Sequence, residues 1–553
     1  MKLSHSYSGA ALWCVVLFAL VPGLIAQETT DPAHVGVPQD WSQHHIVFSR
    51  DALAKHPELI YREPRILHQL MQRSQVRNSG LFEGADSTST SEDQSGIHND
   101  WNVTTIGGRL DANMFPAKFS FDPSTPPSCA NDFVVFGLSV PGTTGGVANL
   151  IAFNNLYAGT GGLCPMGPSV MFAYNITTVT GGKVATSPVL SVDGKKVAFV
   201  ESIPGAGASA IFHVLTWTAG QGALKTAAAP TMTSLTFSPT ANSTTSSPWI
   251  DYSSDTAYLG ADNGLLYKMT GVFHGTPTLA NPPWPVTVST NLKLTPPVLD
   301  SNLGLLMVGS ANGTLYQINA GSGTIVASLP IGAKGKTGNG IIAAPIVDVT
   351  NGTTFAVSAN GGTSAVLVEA DTMASLHQLA KASLGLGASG GTLLSLQEPA
   401  FSNDYFTNPS SGLVRLCGTG PADTSPYQYA FGFSGRTMST TNAFGFPVQI
   451  LASTAARCTG WTEFFNPNVG VSPGTDFFFF GLTQDCTGSG SAFGCVEAIA
   501  VNNGVTTTTM ATINGGPTGI VVDNYSTAGQ ASSIYFTADK INTAYKLTQN
   551  GLH

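Results

Sequence analysis

Short apolar runs separated by turn sequences dominate this chain. In residues 305–319, the runs LLMVG and TLYQIN flank the turn Ser310-Ala311-Asn312-Gly313. An Asn-Gly step between two apolar runs favours a tight hairpin turn that needs a positive φ. A single hairpin is only marginally stable in water, so the pattern predicts that other strands cover its faces.

A kernel of this kind occurs eight times. Each copy has a short apolar stretch, an Asp or Asn turn, an apolar strand, a Gly-bearing turn and a second strand. The copies begin near Pro116, Pro188, Pro248, Pro297, Pro345, Pro399, residue 463 and Pro517. The four central intervals are 60, 49, 48 and 54 residues. A period near 50 with about four strands is typical of a propeller blade. The sequence therefore predicts an all-β fold, a β-propeller of about eight four-stranded blades over residues 101–553. Seven blades is the alternative, if the first or the 463 copy is a decoration.

The ends of the repeat region suggest how the ring closes. The eighth copy stops near the C-terminus without an outer strand, and residues 101–107, WNVTTIG, have the composition to supply it. The aromatic run Phe477–Phe480 is best explained as a strand that is buried on both faces between neighbouring blades.

Residues 1–26 have the pattern of an export signal. Lys2 and His5 precede an apolar stretch that ends at the small residue Ala26. A membrane anchor is the alternative, but Pro22 and Gly23 interrupt the stretch and no basic stop-transfer cluster follows. No later run of 18 apolar residues exists. We expect a secreted or periplasmic protein without a membrane association after signal cleavage.

A distinct segment, residues 27–77, precedes the repeats. Seven of the eleven histidines lie before residue 100. Pro64 is suited to the first turn of a helix, and Ile66, Leu67, Leu70 and Met71 predict one short amphipathic helix near 63–75. We expect this segment to be a capping or partner-docking element, followed by a flexible Ser/Thr/Gly-rich linker over 78–100.

Charge excludes some partners. Only 10% of the residues are charged, against 42% hydrophobic, and the net charge is −9. No basic stripe follows the leader, so nucleic acid and anionic membranes are poor partners. We expect a monomer that binds an extracellular ligand, either a glycan or a protein.

The cysteine count fits an oxidising compartment. Removing Cys14 with the leader leaves six cysteines, an even number that favours disulfides in an exported chain. Sequential pairing is our prediction among the 15 possible pairings, because each pair then lies within one or two repeats. The pairs are Cys129–Cys164, Cys417–Cys458 and Cys486–Cys495.

The kernel at 297–323 resembles the quinoprotein-type (PQQ-like) repeat of β-propellers. The residues that carry the resemblance are Pro297, Asp300, Gly313, Leu315, Tyr316, Ile318, Asn319, Ala320 and Gly323. Enzymes of that family bind a quinone cofactor and Ca²⁺ over the central funnel and use a stacked Trp and a disulfide between adjacent cysteines. The resemblance implies these features for a chain of the same activity. This chain has Asn319 at the acidic position of the repeat, no following Trp and no adjacent Cys pair. We therefore expect no cofactor.

Individual residues give little catalytic signal. His44, His45, His56 and His68 lack the i, i+4 spacing of a metal site and suit packing or the surface. Asp251, Asp255 and Asp262 provide oxygen ligands that suit Ca²⁺, although turn formation explains them more simply.

Serine catalysis has no motif to support it. Gly387–Gly391 lacks the spacing of a nucleophile elbow, and His213, His274 and His377 are scattered. Glutamate is scarce in the repeats, which makes Glu398 and Glu463 weak candidates for a functional surface.

The sequence thus favours a secreted, non-catalytic β-propeller that acts as a binding or scaffold module. The alternative is an enzyme on the same scaffold, either a glycan lyase or hydrolase or a degenerate quinoprotein oxidoreductase.

Overall fold

The computed structural model describes eleven internal stretches and one C-terminal stretch of the chain. These are residues 36–74, 97–105, 114–121, 127–159, 161–203, 209–238, 244–332, 340–373, 375–387, 396–467, 469–523 and 532–549. The predicted leader lies outside them.

The N-terminal elements are short. They are strand β1 (Val37–Gln39), a 3₁₀ turn (Trp41–His45), strand β2 (Ile46–Val47), helices α1 (Arg50–Leu53), α2 (Leu59–Arg62) and α3 (Pro64–Ser74), and strand β3 (Ile97–Thr104). Helix α3 confirms the helix predicted near 63–75.

Eight separate sheets follow, one for each blade. Blade 1 contains β4 (Ala117–Ser120), β5 (Phe133–Gly137), β6 (Leu150–Asn154) and β7 (Ser169–Tyr174). Blade 2 contains β8 (Lys183–Val184), β9 (Val189–Leu190), β10 (Lys196–Ser202), β11 (Ala210–Thr216) and β12 (Thr231–Ser238). Blade 3 contains β13 (Trp249–Asp251), β14 (Thr256–Gly260), β15 (Leu265–Thr270), β16 (Thr278–Leu279) and β17 (Val286–Thr287). Blade 4 contains β18 (Val298–Asp300), β19 (Leu305–Gly309), β20 (Thr314–Asn319) and β21 (Ile325–Pro330).

The second half of the ring has the same plan. Blade 5 contains β22 (Ile346–Asp348), β23 (Thr353–Ser358), β24 (Ser364–Asp371) and β25 (His377–Leu386). Blade 6 contains β26 (Ala400–Phe401), helix α4 (Asn403–Thr407), a 3₁₀ turn (Pro409–Ser411), β27 (Leu413–Thr419), β28 (Pro426–Ser434), β29 (Thr437–Asn442) and β30 (Val448–Gln449). Blade 7 contains β31 (Thr462–Asn466), β32 (Thr475–Leu482), β33 (Phe493–Asn502) and β34 (Val505–Asn514). Blade 8 contains β35 (Val521–Asp523), β36 (Ser533–Thr537) and β37 (Thr543–Gln549).

The eight predicted kernels correspond to the eight blades. In the first six blades, the innermost strand begins directly after the predicted proline, and the 463 copy is the innermost strand of blade 7. The seven-blade alternative is therefore wrong. The Asp of the kernel has a local role: Asp300 Oδ1 accepts the backbone N–H groups of Asn302 and Leu303, both at 3.0 Å. Its carboxylate thus forms the turn between the first and second strands.

The hairpin at 305–319 has the predicted tight turn. Gly313 has φ 82°, and its N–H donates to the carbonyl of Ser310 at 2.9 Å. A Cβ at this position would lie 2.6 Å from the Cα of Gly332, so glycine is required both for the backbone conformation and for the close approach.

The N-terminal part of the chain closes the ring. Strand β3 pairs antiparallel with β37, and the sheet of blade 8 has the order β3-β37-β36-β35. This confirms that residues 101–104 supply the outer strand. Residues 97–100, predicted as the end of the linker, belong to this strand instead, because their backbone pairs with residues 547–549. The rest of the predicted linker up to residue 96 lies outside the described residues.

Two buried charge pairs lie at the closure of the ring, one between blades 1 and 8 and one within blade 8. Lys118 Nζ lies 2.6 Å from an Asp523 carboxylate oxygen, across the two innermost strands. Lys546 Nζ lies 3.0 Å from Asp100, between β37 and β3. All four side chains are almost fully buried, so removal of one partner would leave an uncompensated charge.

Packing between blades is apolar. In β32, Phe477 and Phe479 belong to a cluster with blade 8, whereas Phe478 and Phe480 pack with Trp461 and Cys417 toward blade 6. The aromatic run is therefore a strand buried on both faces, as predicted. No helix among the described residues has the length and apolar character needed to cross a membrane.

Trp101 offers a test of ring closure. It is buried, lies 6.2 Å by ring centroid from Phe153 of blade 1 and from Tyr535 of blade 8, and donates to the carbonyl of Leu156 at 3.0 Å. We expect Trp101→Ala to lower the free energy of unfolding by about 3–5 kcal/mol, because it leaves a cavity at the closing interface. Urea denaturation followed by circular dichroism measures the effect. The neighbouring exposed residue provides the control: Asn102→Ala should change stability by at most about 0.5 kcal/mol. Equal effects of the two variants would contradict the assigned closure.

Candidate functional site

The central channel of the ring contains the chain's own N-terminal segment, residues 36–74, which we call the axial segment. Strand β1 pairs antiparallel with β4, the innermost strand of blade 1. Strand β2 pairs in parallel with β22, the innermost strand of blade 5. Blades 1 and 5 are opposite each other in a ring of eight, so the segment crosses the axis.

Blade 3 holds the middle of the axial segment. Trp41 donates its indole N–H to the carbonyl of Pro248 at 3.3 Å and packs edge-on against Trp249 at 5.8 Å. The guanidinium of Arg65 donates to the carbonyl of Ile250 at 3.0 Å and lies 4.0 Å over the ring of Trp249. Glu63, 2.7 Å from Arg65, compensates the charge of this buried arginine.

The helical part lies at one face of the ring. We call this the first-turn face, because it carries the turns between the first and second strands of each blade. Ser49 donates its N–H to Thr350 Oγ1 in such a turn of blade 5, at 2.9 Å. Phe48 packs on Phe406 of α4 in the corresponding connection of blade 6, with 5.2 Å between ring centroids. The axial segment therefore closes the channel at this face.

Arg73 at the end of α3 forms the connection to blades 6 and 7. Its NH1 group donates to Glu463 Oε1 at 2.7 Å and to Asn403 Oδ1 at 3.0 Å, and its NH2 group donates to the other oxygen of Glu463. Asp476 lies beside this pair, and burial together with the Glu463 carboxylate raises its pKa well above the usual value. Glu463, predicted as a functional-surface candidate, is thus an internal ion-pair partner and does not lie on the surface.

Three of the four histidines of the axial segment, His44, His45 and His68, are packing residues in this structure. Burial lowers the pKa of His44 to about 4 and that of His45 and His68 to about 3, and a neighbouring arginine adds to the effect for His44 and His68. His45 Nδ1–H donates to the carbonyl of Trp41 at 2.9 Å, and His68 Nδ1 lies 3.3 Å from the side-chain amide nitrogen of Gln43. His56 is exposed.

The channel does not fit the quinone that the repeat resemblance implies in family enzymes. Such a cofactor needs an accessible aromatic face over the funnel. The Trp249 ring instead contacts Arg65 and Trp41 of the same chain, and the inner edges of blades 1 and 5 are paired with β1 and β2. We derive no chemistry through a quinone.

The opposite face of the ring, the loop face, carries the connections between second and third strands and between blades. There an open cleft of about 460 Å³ lies between blades 6 and 7. Its lining includes Asp423, Gln449, Ser453, Gln484 and Asp485. These residues come from the β27–β28 loop, from β30 and the connection to blade 7, and from the β32–β33 loop.

The cleft is polar and carries two ionised carboxylates. A hydrogen bond from Ser453 holds the pKa of Asp485 below its usual value, and Ser425 does the same for Asp423. Asp485 Oδ1 is buried without a hydrogen-bond partner among the described residues. Lys540 lies at the edge of the cleft and donates to Gln484 Oε1 at 2.6 Å. The cleft can therefore offer both acceptors and donors to a polar ligand.

Disulfides brace the cleft. Cys417–Cys458 links β27 to the connection that carries Ser453, and Cys486–Cys495 closes the loop that carries Asp485. Cys129–Cys164 links two connections of blade 1. The three pairs are the sequential ones that the sequence favoured.

Glu398, the other predicted surface candidate, is also internal. It is 6% exposed and precedes the innermost strand of blade 6. Burial raises its pKa to about 7. A Cβ at Gly460 would lie 1.9 Å from its Oε1, so a larger residue at this point of the connection to blade 7 would displace the Glu398 carboxyl.

Of the acidic residues considered for Ca²⁺, Asp251 and Asp255 accept hydrogen bonds from loop backbone, whereas Asp262 Oδ1 is buried without a hydrogen-bond partner among the described residues. Asp251 Oδ1 accepts from the N–H of Ser253 at 3.0 Å, and Asp255 accepts from the N–H groups of Phe273 and His274 at 2.7 and 2.9 Å. Over the described ranges, no group of three or more His, Cys, Asp or Glu is arranged around a common point. Most of the Gly387–Gly391 string lies outside the described residues.

Sequence reasoning did not find the cleft residues. Their one signal is the concentration of four cysteines between residues 417 and 495, which indicates that loops from neighbouring blades are braced together. Nothing in the sequence pairs Arg73 with Glu463, which lie 390 residues apart.

No protein-family model and no curated protein sequence matches the chain. Among solved structures, Sqt1 from Saccharomyces cerevisiae matches 81% of this chain and 99% of its own, with a TM-score of 0.51 and 11% identity. BamB from Moraxella catarrhalis matches 82% and 97%, with a TM-score of 0.42 and 13% identity. The computationally designed Ika8 protein matches 81% and 99%, with a TM-score of 0.45 and 11% identity. At such identities, the likeness shows the β-propeller fold alone.

Removal of the Arg73 side chain tests the seating of the axial segment. We expect Arg73→Ala to lower stability by about 3–5 kcal/mol, because the Glu463 carboxylate then remains buried without its counter-ion. Hydrogen exchange of residues 36–74, with urea denaturation, measures local and global opening. Arg62→Ala, at an exposed position of the same segment, should leave both unchanged. Wild-type exchange in Arg73→Ala would show that the ion pair does not hold the segment.

The buried carboxyl of Glu398 makes the stability of the folded protein depend on pH. Because its pKa is about 7 in the folded protein and lower in the unfolded chain, the folded state binds the extra proton. Its contribution to stability is full below the unfolded pKa and is lost as the pH rises through about 7, by up to about 1.4 kcal/mol per pH unit. Glu398→Gln cannot ionise, so we expect its stability relative to wild type to increase from pH 5 to pH 8. Thermal melts at both pH values measure this. Asp51→Asn, at an exposed carboxyl of the same segment, should show no such trend. A pH-independent difference for Glu398→Gln would contradict the assignment.

Proposed function

We propose that this chain is an exported binding or scaffold module whose ligand contacts the loop face of the propeller. One observation carries the proposal: the channel is filled by residues 36–74 of the chain itself. Ligands of β-propellers bind either in the central channel or at the loops of the rim. Because the channel is filled, we assign the ligand to the rim.

The blade 6–7 cleft is the part of the rim that we assign to the ligand. Its carboxylates, amides and hydroxyls match the alternating donors and acceptors of a glycan, and the two nearby disulfides limit the entropy that the loops lose on binding. A protein partner is the other outcome that the experiment must distinguish. Export is supported by the signal-like residues 1–26 and by the three disulfides.

A glycan array probed with the purified mature protein tests the proposal. We expect hits whose affinity falls at least tenfold in Asp485→Asn and in Gln449→Ala, since each variant removes acceptors or donors from the cleft. Gln449 is exposed, so its truncation carries little risk to folding. Thr508→Ala, on the exposed outer strand of blade 7, is the matched control and should bind as wild type does.

Three outcomes would overturn the assignment. Binding that is unaffected by both cleft variants would move the ligand elsewhere on the rim. Binding that is observed only after deletion of residues 36–74 would place the ligand site in the channel. Absence of glycan hits, together with a protein partner that is sensitive to the cleft variants, would replace the ligand class.

A further inference from the structure

Three side chains of blade 2 form a continuous hydrogen-bonded chain. Glu201, His213 and Ser234 lie on the neighbouring strands β10, β11 and β12. Ser234 Oγ is 2.9 Å from His213 Nδ1, and His213 Nε2 is 2.9 Å from Glu201 Oε2. His213 and Glu201 are fully buried, whereas Ser234 is exposed on the outermost strand of the blade. The chain therefore leads from the interior to the solvent.

Glu201 is arranged to stay ionised. Its Oε1 accepts the N–H groups of Thr178 and Val179 at 2.8 and 3.2 Å, and its Oε2 accepts the hydroxyl of Thr178 at 2.5 Å. Burial alone would raise the pKa of Glu201, but the hydrogen bonds from His213 and Thr178 outweigh it and hold the pKa below its usual value.

The ionised carboxylate determines which ring nitrogen carries the proton. A carboxylate accepts only, so His213 Nε2–H donates to Glu201 and the lone pair of Nδ1 faces the Ser234 hydroxyl. This is the arrangement in which an imidazole acts as general base toward a serine, with the carboxylate orienting the ring.

The local backbone supports this geometry. A Cβ at Gly182 would lie 1.8 Å from Glu201 Oε1, so a larger residue there would displace the carboxylate from its hydrogen bonds. The ring of Phe199 packs on His213 with 5.4 Å between centroids. β12 is an edge strand, so every second residue along it points its backbone N–H toward the free edge of the sheet. Near the Ser234 hydroxyl, a free backbone N–H therefore comes either from Ser234 itself or from the residues on both sides of it. Such N–H groups can stabilise an oxyanion.

We propose that Ser234 is an activated nucleophile and that blade 2 carries a hydrolytic site for unhindered carboxylic esters. Ser234 Oγ forms a bond to the ester carbonyl carbon while its proton moves to His213 Nδ1. The bond from this carbon to the alkoxy oxygen breaks, and the leaving alcohol takes the proton from His213. Water then attacks the acyl-serine by the same proton route, which releases the carboxylic acid and restores Ser234. The inference goes beyond the proposed binding function and is independent of it.

A fluorophosphonate probe and p-nitrophenyl acetate test the proposal on the full mature chain. We expect the probe to label Ser234, located by mass spectrometry, and the ester to be hydrolysed with turnover. Ser234→Ala should abolish both, and because this side chain is exposed the variant should fold normally. Ser383→Ala is the matched control: it lies on β25, the outermost strand of blade 5, is exposed and has no histidine opposite it. Labelling at Ser234 no faster than at Ser383, or equal in Ser234→Ala and wild type, overturns the proposal.

Two further variants separate activation from simple exposure. Glu201→Gln and His213→Gln should each reduce the labelling rate at least tenfold while Ser234 remains in place, since general-base assistance contributes factors of about 10²–10⁴. Thermal melts check that each variant is folded. Wild-type labelling in a folded Glu201→Gln or His213→Gln protein would show that the hydrogen-bonded chain does not activate the serine.

Discussion

The pairing of β3 with β37 is the interaction on which the rest of this architecture depends. Each blade is a twisted sheet whose faces are apolar, and a ring covers all of them only if the first and last blades meet. Here the last blade is completed by a strand from before the first, so separation of blades 1 and 8 must break a strand pair. The buried pair Lys118–Asp523 adds specificity between blades 1 and 8, and Lys546–Asp100 adds it to the β3–β37 pairing, because another register would leave a charge buried and unpaired.

Closure of the ring creates a second requirement at the axis. The innermost strands present backbone N–H and C=O groups that must be satisfied by water or by protein. The axial segment satisfies part of this need directly: β1 and β2 extend the sheets of two opposite blades, and Gln69 binds the carbonyls of Gln43 and Ile46 within the segment. Because the segment carries buried Arg65 and Arg73, it needs Glu63 and Glu463 as partners. The charged residues of the axial segment, which are typical of a surface segment in the sequence, are therefore the ones that hold the segment in the channel.

The presence of the axial segment in the channel bears on function. It supports our proposal that a ligand contacts the loop face, where loops of blades 6 and 7 are braced by two disulfides around a polar cleft. It leaves the blade edges as the other accessible surface, and there the Glu201–His213–Ser234 chain reaches solvent. Both sites combine residues from separate strands or loops, and the solved structures that resemble this chain contribute only the fold.

The sequence by itself determined the blades, because strand period, turn chemistry and the proline before the first strand of six blades are local properties. The helix at 64–74, the closing strand at 101–104 and the sequential disulfides followed from patterns of the same kind. Only the tertiary structure decided that the N-terminal segment lies in the channel, that Glu398 and Glu463 are internal, and that Ser234 lies opposite His213. Those outcomes depend on contacts between residues that are far apart in the chain or on neighbouring strands, whose relative placement is fixed by packing and strand register, and no local pattern encodes such a distance.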